Sequence, residues 1–215
     1  MFTTASSDIR LGFRGDRPLQ AMTVFYAGFW LWAAIAPLHR FDWFLENLLV
    51  FAAVAGLALA YRRHPFSTLS YLLITVFLTL HTLGSHYTYA EVPLGAWFGE
   101  VFEVGRNHYD RVVHLTFGLL IAYPLREVFL RHTDIRGFPL YFLPFAIVAA
   151  ASNAYEFIEW VIAMIVDSES ALAFLGTQGD VFDAQKDTGL AIVGSIVSLA
   201  ATALFSRRAS SAADR

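Results

Sequence analysis

Cysteine is absent from the chain. Disulfides are therefore excluded, and so are thiolate metal centres, leaving His, Asp, Glu and water to hold any metal. Charge is scarce too: Asp, Glu, Lys and Arg make up 15% of the 215 residues. A soluble helical bundle needs a polar face along every helix. Segments 48–60 and 192–205 carry no charged residue at all. Basic residues are too few for nucleic acid: the net charge is -3, and no basic stripe with interleaved aromatics appears. No internal repeat and no second domain are visible, and the Ala/Ser tail is the one low-complexity tract.

What is present is apolar, 57% of the chain. It falls into six runs of about 20 residues each, the length a helix needs to cross a bilayer. The runs are 19–36, 43–61, 66–84, 110–130, 138–165 and 187–206. The fold class expected is all-α, a polytopic transmembrane bundle of six spans. It forms one membrane domain over 19–206, between an N-terminal segment 1–18 and a tail 207–215. The run 19–36 is longer than the apolar core of a signal peptide, and its Ala34-Ile35-Ala36 is followed by Pro37, so it reads as a retained first span. Pro124 and Pro144 lie within spans and predict kinks, whereas Gly189 and Gly194 offer small surfaces for close helix packing.

Orientation follows from the basic residues. Arg10, Arg14, Arg17, Arg62, Arg63, Arg131, Arg136, Arg207 and Arg208 lie in alternate connections. The other connections hold Arg40, Arg106, Arg111 and Lys186 among most of the acids. The positive-inside rule then places both termini in the cytoplasm. Trp30, Trp32, Trp43, Tyr61, Tyr87 and Tyr89 fall at span ends, the level that suits amphipathic rings. Two outer connections are long, 85–109 and 166–186. The first contains an amphipathic stretch, 92–104, suited to lying along the interface; the second contains Leu175-Gly176-Thr177-Gln178-Gly179-Asp180, a turn signal.

With that orientation nearly every unusual polar residue falls on the outer side. Asp110 and His114 are spaced i, i+4 and share a helix face, as two ligands or as a carboxylate orienting an imidazole. The blander alternative makes Asp110 an N-cap. Glu156 and Glu159, spaced i, i+3, must turn inward, because lipid-facing carboxylates are too costly. A salt bridge to Arg106 or Arg111 would neutralise one of them. Asp183 and Asp187 repeat the i, i+4 spacing if the last helix starts early; otherwise Asp187 is the cap. His81 and His86 close the third span, His108 precedes the fourth, and Glu46 and Asn47 stand near the outer start of the second as supporting residues. Together these residues predict a His/carboxylate centre for a divalent metal, Zn²⁺ or similar. His81, His108, Asp110, His114, Asp183 and Asp187 are its candidate ligands, and Glu156 and Glu159 its catalytic bases. His64 and His132 read as solvated loop residues and Arg126 as a snorkelling cation.

Three blocks carry a resemblance. These are Arg106-Asn107-His108-Tyr109-Asp110-Arg111 with His114; Tyr155-Glu156-Phe157-Ile158-Glu159-Trp160; and Gly176-Thr177-Gln178-Gly179-Asp180 with Asp183-Ala184-Gln185-Lys186-Asp187. They resemble the YjdF family of bacterial inner-membrane proteins, over nearly the whole chain. That resemblance implies a multi-pass protein of the inner (cytoplasmic) membrane and no established function. More distantly, Asp110 with His114, the Glu156 block, and Asp183 with Asp187 ahead of Gly194 are similar to a VanZ-like pattern. The VanZ-like family is linked to resistance against lipoglycopeptide antibiotics. Glu159 stands where that pattern has Gln, and the following Arg is missing.

The function expected from the polar cluster is a metal-dependent membrane enzyme acting on a lipid or envelope precursor from the periplasmic side. An ion- or proton-coupled transporter and a non-catalytic binding or scaffold subunit are the alternatives. Membrane lipids are the partners implied, with no nucleic acid and no protein partner indicated.

Overall fold

The computed structural model describes residues 12–213 apart from 62, 104, 167–170 and 172–173. Arg10 and Arg62, used above for orientation, Val104 at the end of the amphipathic stretch, and the ends of the two terminal segments lie outside the described residues, as does the side chain of Arg207. Seven helices make up the described fold, with no strand among the described residues: α1 (Arg17–Ala33), α2 (Arg40–Tyr61), α3 (Thr68–His86), α4 (Pro93–Val101), α5 (Tyr109–His132), α6 (Pro139–Ala163) and α7 (Asp183–Ala213).

Five of them are long and apolar enough to cross a membrane: α2, α3, α5, α6 and the Asp183–Ser206 part of α7. The expected first span is shorter than the sequence implies. α1 has 17 residues, about 25 Å at the α-helical rise. It stops at Ala33 because the chain turns over Ala36, held at φ 48°, into Pro37. Its start is fixed by Asp16, whose side chain accepts from the Leu19 amide at 3.1 Å, with Pro18 in the first turn. Apolar side chains cover the outside of the bundle; Leu59, for example, is 79% exposed. Such a surface belongs in lipid. The chain is a polytopic helical membrane protein.

Helix starts settle two alternatives left open above. α5 begins at Tyr109, whose amide is capped by the Asn107 side chain at 3.0 Å, so Asp110 lies inside the first turn and is not the cap. α7 begins at Asp183, which puts Asp187 one turn inside the helix on the same face. Pro124 and Pro144 lie within α5 and α6, which continue past them.

α5 is the central helix, packed on α3, α6 and α7. Its closest partner is α7, and glycines allow the approach. Gly118 lies against the backbone of Ala191 and Ser195, and Gly194 against that of Leu115 and Leu119. A Cβ on either would overlap a backbone carbonyl of the other helix. The packing expected of Gly189 is absent, since nothing lies within 4 Å of the Cβ it lacks. Five residues before Gly194, it is rotated about 140° away on the helix. At and beyond this crossing Ala122, Val148, Ala191 and Leu199 form an apolar layer joining α5, α6 and α7. Both α5 and α7 start at the same end of the bundle, so the glycine crossing brings their acidic first turns level with each other.

Leu placed at Gly118 or Gly194 should lower stability by about 1–3 kcal/mol through overpacking, read as a lower melting temperature in detergent. Gly189→Leu should leave melting unchanged. Equal loss at all three positions would contradict this packing.

Candidate functional site

One carboxylate oxygen each from Asp110, Asp183 and Asp187 lie within 4.8 Å of one another. Asp183 is neutralised from outside. Arg106 donates to it at 2.6 Å while also holding the Thr177 carbonyl at 2.5 Å, and Arg111 reaches it at 3.3 Å. No arginine among the described residues comes within 4.0 Å of Asp110 or Asp187. Asp187 is 1% exposed, and its Oδ1 accepts no hydrogen bond. Three carboxylates this close repel one another unless a cation or protons intervene.

The two arginines belong to a strap that closes the outer face. Arg111 and Lys186 both donate to Asp180 Oδ2 at 2.5 Å. Asp180 is held at a pKa of about 2 by the Lys186 ammonium, the Phe182 amide and Arg111. Asn107 and Gln178 exchange hydrogen bonds, amide to side chain at 2.9 Å and side chain to carbonyl at 3.0 Å. The turn that permits this has Gly179 at φ 84°, in the left-handed region. The loops preceding α5 and α7 are thereby stitched directly above the three aspartates.

His114 meets the cluster from the side. Its Nε2 lies 3.1 Å from Glu156 Oε1 and 3.6 Å from Asp110 Oδ1, and its Nδ1 lies 3.2 Å from Ser152 Oγ. One imidazole thus links the acids of α5 to the acids of α6. The salt bridge from Glu156 or Glu159 to Arg106 or Arg111, open from sequence, is not made among the described contacts, because both guanidiniums are engaged with Asp180 and Asp183. Glu159 sits one turn beyond Tyr155, within electrostatic reach of Glu46, Glu156 and Asp110.

A second network stands across from the first. Glu46, on α2, accepts a hydrogen bond from the Tyr155 hydroxyl on α6. His81 Nε2 faces the Glu46 carbonyl oxygen at 3.2 Å, and its Nδ1 faces the Tyr89 hydroxyl at 2.7 Å. A carbonyl only accepts, so Nε2 carries the proton and Nδ1 accepts from Tyr89.

The sequence-predicted ligands therefore divide. Asp110, Asp183 and Asp187 come together, and His114 joins them through Asp110. His81 is instead occupied with Tyr89 and Glu46. His108 lies beside Arg111, its Nδ1 3.4 Å from Nη1. Burial, then the guanidiniums of Arg111 and Arg106, push its pKa down. His86 is structural, with Nδ1 2.8 Å from the Ala33 carbonyl and its ring stacked on Trp32.

Glu46 takes the supporting place expected of it, whereas Tyr89, expected only as an interfacial ring, Tyr155, expected only beside Glu156, and Ser152, which carries no signal in the sequence, are additions to the site. The link between Glu46 and Tyr155 has no local signal, because it spans 109 residues. At the inner end the differences are larger. Arg126 does not snorkel; it is 8% exposed and lies over the Tyr141 ring at 4.7 Å. Buried Glu127 accepts from the Ser67 amide at 2.7 Å, from both Ser67 and Ser70 hydroxyls, and from Arg131 at 2.8 Å. His64 and His132 are exposed, as expected, but face each other with their Nδ1 atoms 3.2 Å apart.

A cavity of about 400 Å³ descends from this site between α2, α3, α5 and α6. Its polar end presents His81, Tyr89, Asp110, His114, Ser152 and Tyr155; its deeper walls are Leu49, Val50, Ala53, Phe77, Phe117 and Ala151, among others. That size is ordinary for a small-molecule site.

A family model described as "Predicted membrane protein (DUF2238)" matches residues 18–208. The inner membrane protein YjdF of Escherichia coli (strain K12) is 34% identical over 176 residues, which cover 81% of this chain and 84% of that protein. No solved structure matches. Both matches agree with the first of the two resemblances drawn from the sequence and not with the VanZ-like pattern. The chain belongs to the DUF2238 family, to which it is joined over nearly its whole length, and is a multi-pass protein of the bacterial inner membrane.

Proposed function

We propose that this protein is a metal-dependent membrane enzyme that acts on a lipid or envelope precursor at the periplasmic surface. Asp110, Asp183 and Asp187 hold the cation. The observation that carries this reading is the buried, unpaired Oδ1 of Asp187 beside two further carboxylates. An all-oxygen donor set suits a hard cation such as Mg²⁺, Mn²⁺ or Ca²⁺. Zn²⁺ would draw in His114, 3.6 Å from Asp110, as its nitrogen donor. The cation would polarise a substrate oxygen and acidify a bound water. Glu156, oriented by His114, and Glu159 beside it supply the general base. Charge counting in the loops supports six crossings with both termini in the cytoplasm, which turns the site outward.

A transporter needs a polar route to the other face. Against this stands the apolar layer of Ala122, Val148, Ala191 and Leu199 beneath the site. The buried acid at the inner end, Glu127, is committed to Ser67, Ser70 and Arg131. A scaffold role leaves the unpaired Asp187 carboxylate without a purpose.

Equilibrium titration of the purified protein with Mg²⁺, Mn²⁺, Ca²⁺ and Zn²⁺ should show one saturable site. Asp187→Asn or Asp110→Asn should weaken it by at least about tenfold, the scale of losing a ligand contact, whereas Glu127→Gln should not. Absence of saturable binding for every cation would refute the proposal.

Binding should also weaken as pH falls, because the ligand carboxylates must be deprotonated. The strap does not contribute to that change. A carboxylate held as low as Asp180 contributes stability that is complete above its ordinary pKa, about 3.9, and is lost only as pH drops toward 2. Lys186→Gln, which removes a donor to Asp180 and touches none of the three aspartates, should therefore leave the pH midpoint of metal binding in place; a large shift would assign the titration to the strap.

A further inference from the structure

The cavity gives the substrate of that site a shape. Leu49 and Ala53 on α2 and Ala151 and Ala154 on α6 all line it, yet all four are exposed on the apolar outside of the bundle. The mouth therefore opens sideways, into lipid rather than water. α2 and α6 do not pack together; the hydrogen bond from Tyr155 to Glu46 joins them at the outer end, and below it they leave a gap. Phe77 and Phe117, ring centroids 5.3 Å apart, form the back wall. The slot is apolar over its depth and polar only where it meets His81, Asp110 and His114. Bare hydrocarbon filling the whole slot would leave those groups dry and unsatisfied. An amphiphile satisfies both ends.

The head has a chemistry as well. Asp110 lines the cavity and is one of the three clustered aspartates, so a head lying there touches the cation site directly. Hard cations held by a few carboxylates typically complete their coordination with phosphate oxygens. The same carboxylates, without a cation, repel a phosphate.

Resting on the metal site proposed above, we infer that the substrate is an amphiphile with an apolar chain and a phosphate head, entering laterally from the outer leaflet between α2 and α6. The chain lies against Leu49, Ala53, Phe117 and Ala151. The head reaches Asp110 and His114 and is bound through the cation.

The test is photolabelling of the full chain in nanodiscs by a hexadecyl phosphate carrying a diazirine near its chain end. Labelling should map to the α2 and α6 peptides around Ala53 and Ala151 and require Mg²⁺ or Mn²⁺. Unlabelled hexadecyl phosphate should compete, and inorganic phosphate and hexadecanol should not. Ala53→Trp, and independently Ala154→Trp on the opposite wall, should reduce labelling by at least about tenfold, with metal binding and melting unchanged. Labelling spread evenly over lipid-facing helices, or unaffected by both tryptophans, would overturn the slot while leaving the metal site standing. Site-specific labelling that persists in chelator, or competition by hexadecanol, would overturn the phosphate head. Competition by inorganic phosphate as strong as by the alkyl phosphate would show that the chain is not recognised. Failure of the metal site itself would appear separately, as wild-type protein that binds no cation while the tryptophan variants still block the slot.

Discussion

Confining carboxylates together out of water is the constraint to which the outer half of this protein answers. Two full charges 4.8 Å apart repel by about 3 kcal/mol at an effective dielectric near 20. Three such pairs approach the roughly 5–15 kcal/mol that stabilises a typical domain. Arg106 and Arg111 relieve Asp183, and among the described residues no arginine pairs with Asp110 or Asp187. The arrangement persists because the backbone leaves the side chains little freedom to separate. Gly118 and Gly194 lock α5 against α7 from below, and the Asn107–Gln178 exchange locks their loops from above. A cation is the simplest group that removes the repulsion.

Around that centre the polar groups divide into two sets with different partners. His114 ties Asp110 to Glu156 and Ser152, so it connects the acids of two helices. His81 is saturated by Tyr89 and the Glu46 carbonyl, which suits a fixed wall of the cavity better than a ligand. Between the sets lies the polar end of a slot whose remaining walls are hydrocarbon. The groups at the polar end of that slot are reached from the side, through the apolar exterior of the bundle. Glu127 and Arg126, at the opposite end of the bundle, are held differently. Glu127 is fully hydrogen-bonded, and Arg126 lies over the face of an aromatic ring.

Much of this was legible in the chain, and the reason is periodicity. Uncharged runs such as 48–60 require a membrane, and the i, i+4 spacings of Asp110 with His114 and of Asp183 with Asp187 place each pair on one helix face. Whether those aspartates were caps depended on where α5 and α7 begin, which the Asn107 cap and the early start at Asp183 decide. Relations between helices were not legible. That Gly194 meets Leu115 while Gly189 meets nothing depends on how α7 is rotated. The meeting of Tyr155 with Glu46 depends on how far α6 stands from α2. The slot is the space left between those helices, and no residue spacing along one chain encodes a space. α1 fell short of its expected span for a local reason, the turn through Ala36 and Pro37.

The most direct test of the central claim is anomalous diffraction at the manganese edge from crystals of the Mn²⁺-loaded protein. The account predicts one strong peak enclosed by the carboxylates of Asp110, Asp183 and Asp187, at ordinary oxygen-ligand distances of about 2.0–2.6 Å. A map without such a peak, with Asp187 instead paired to a protein donor, would contradict it.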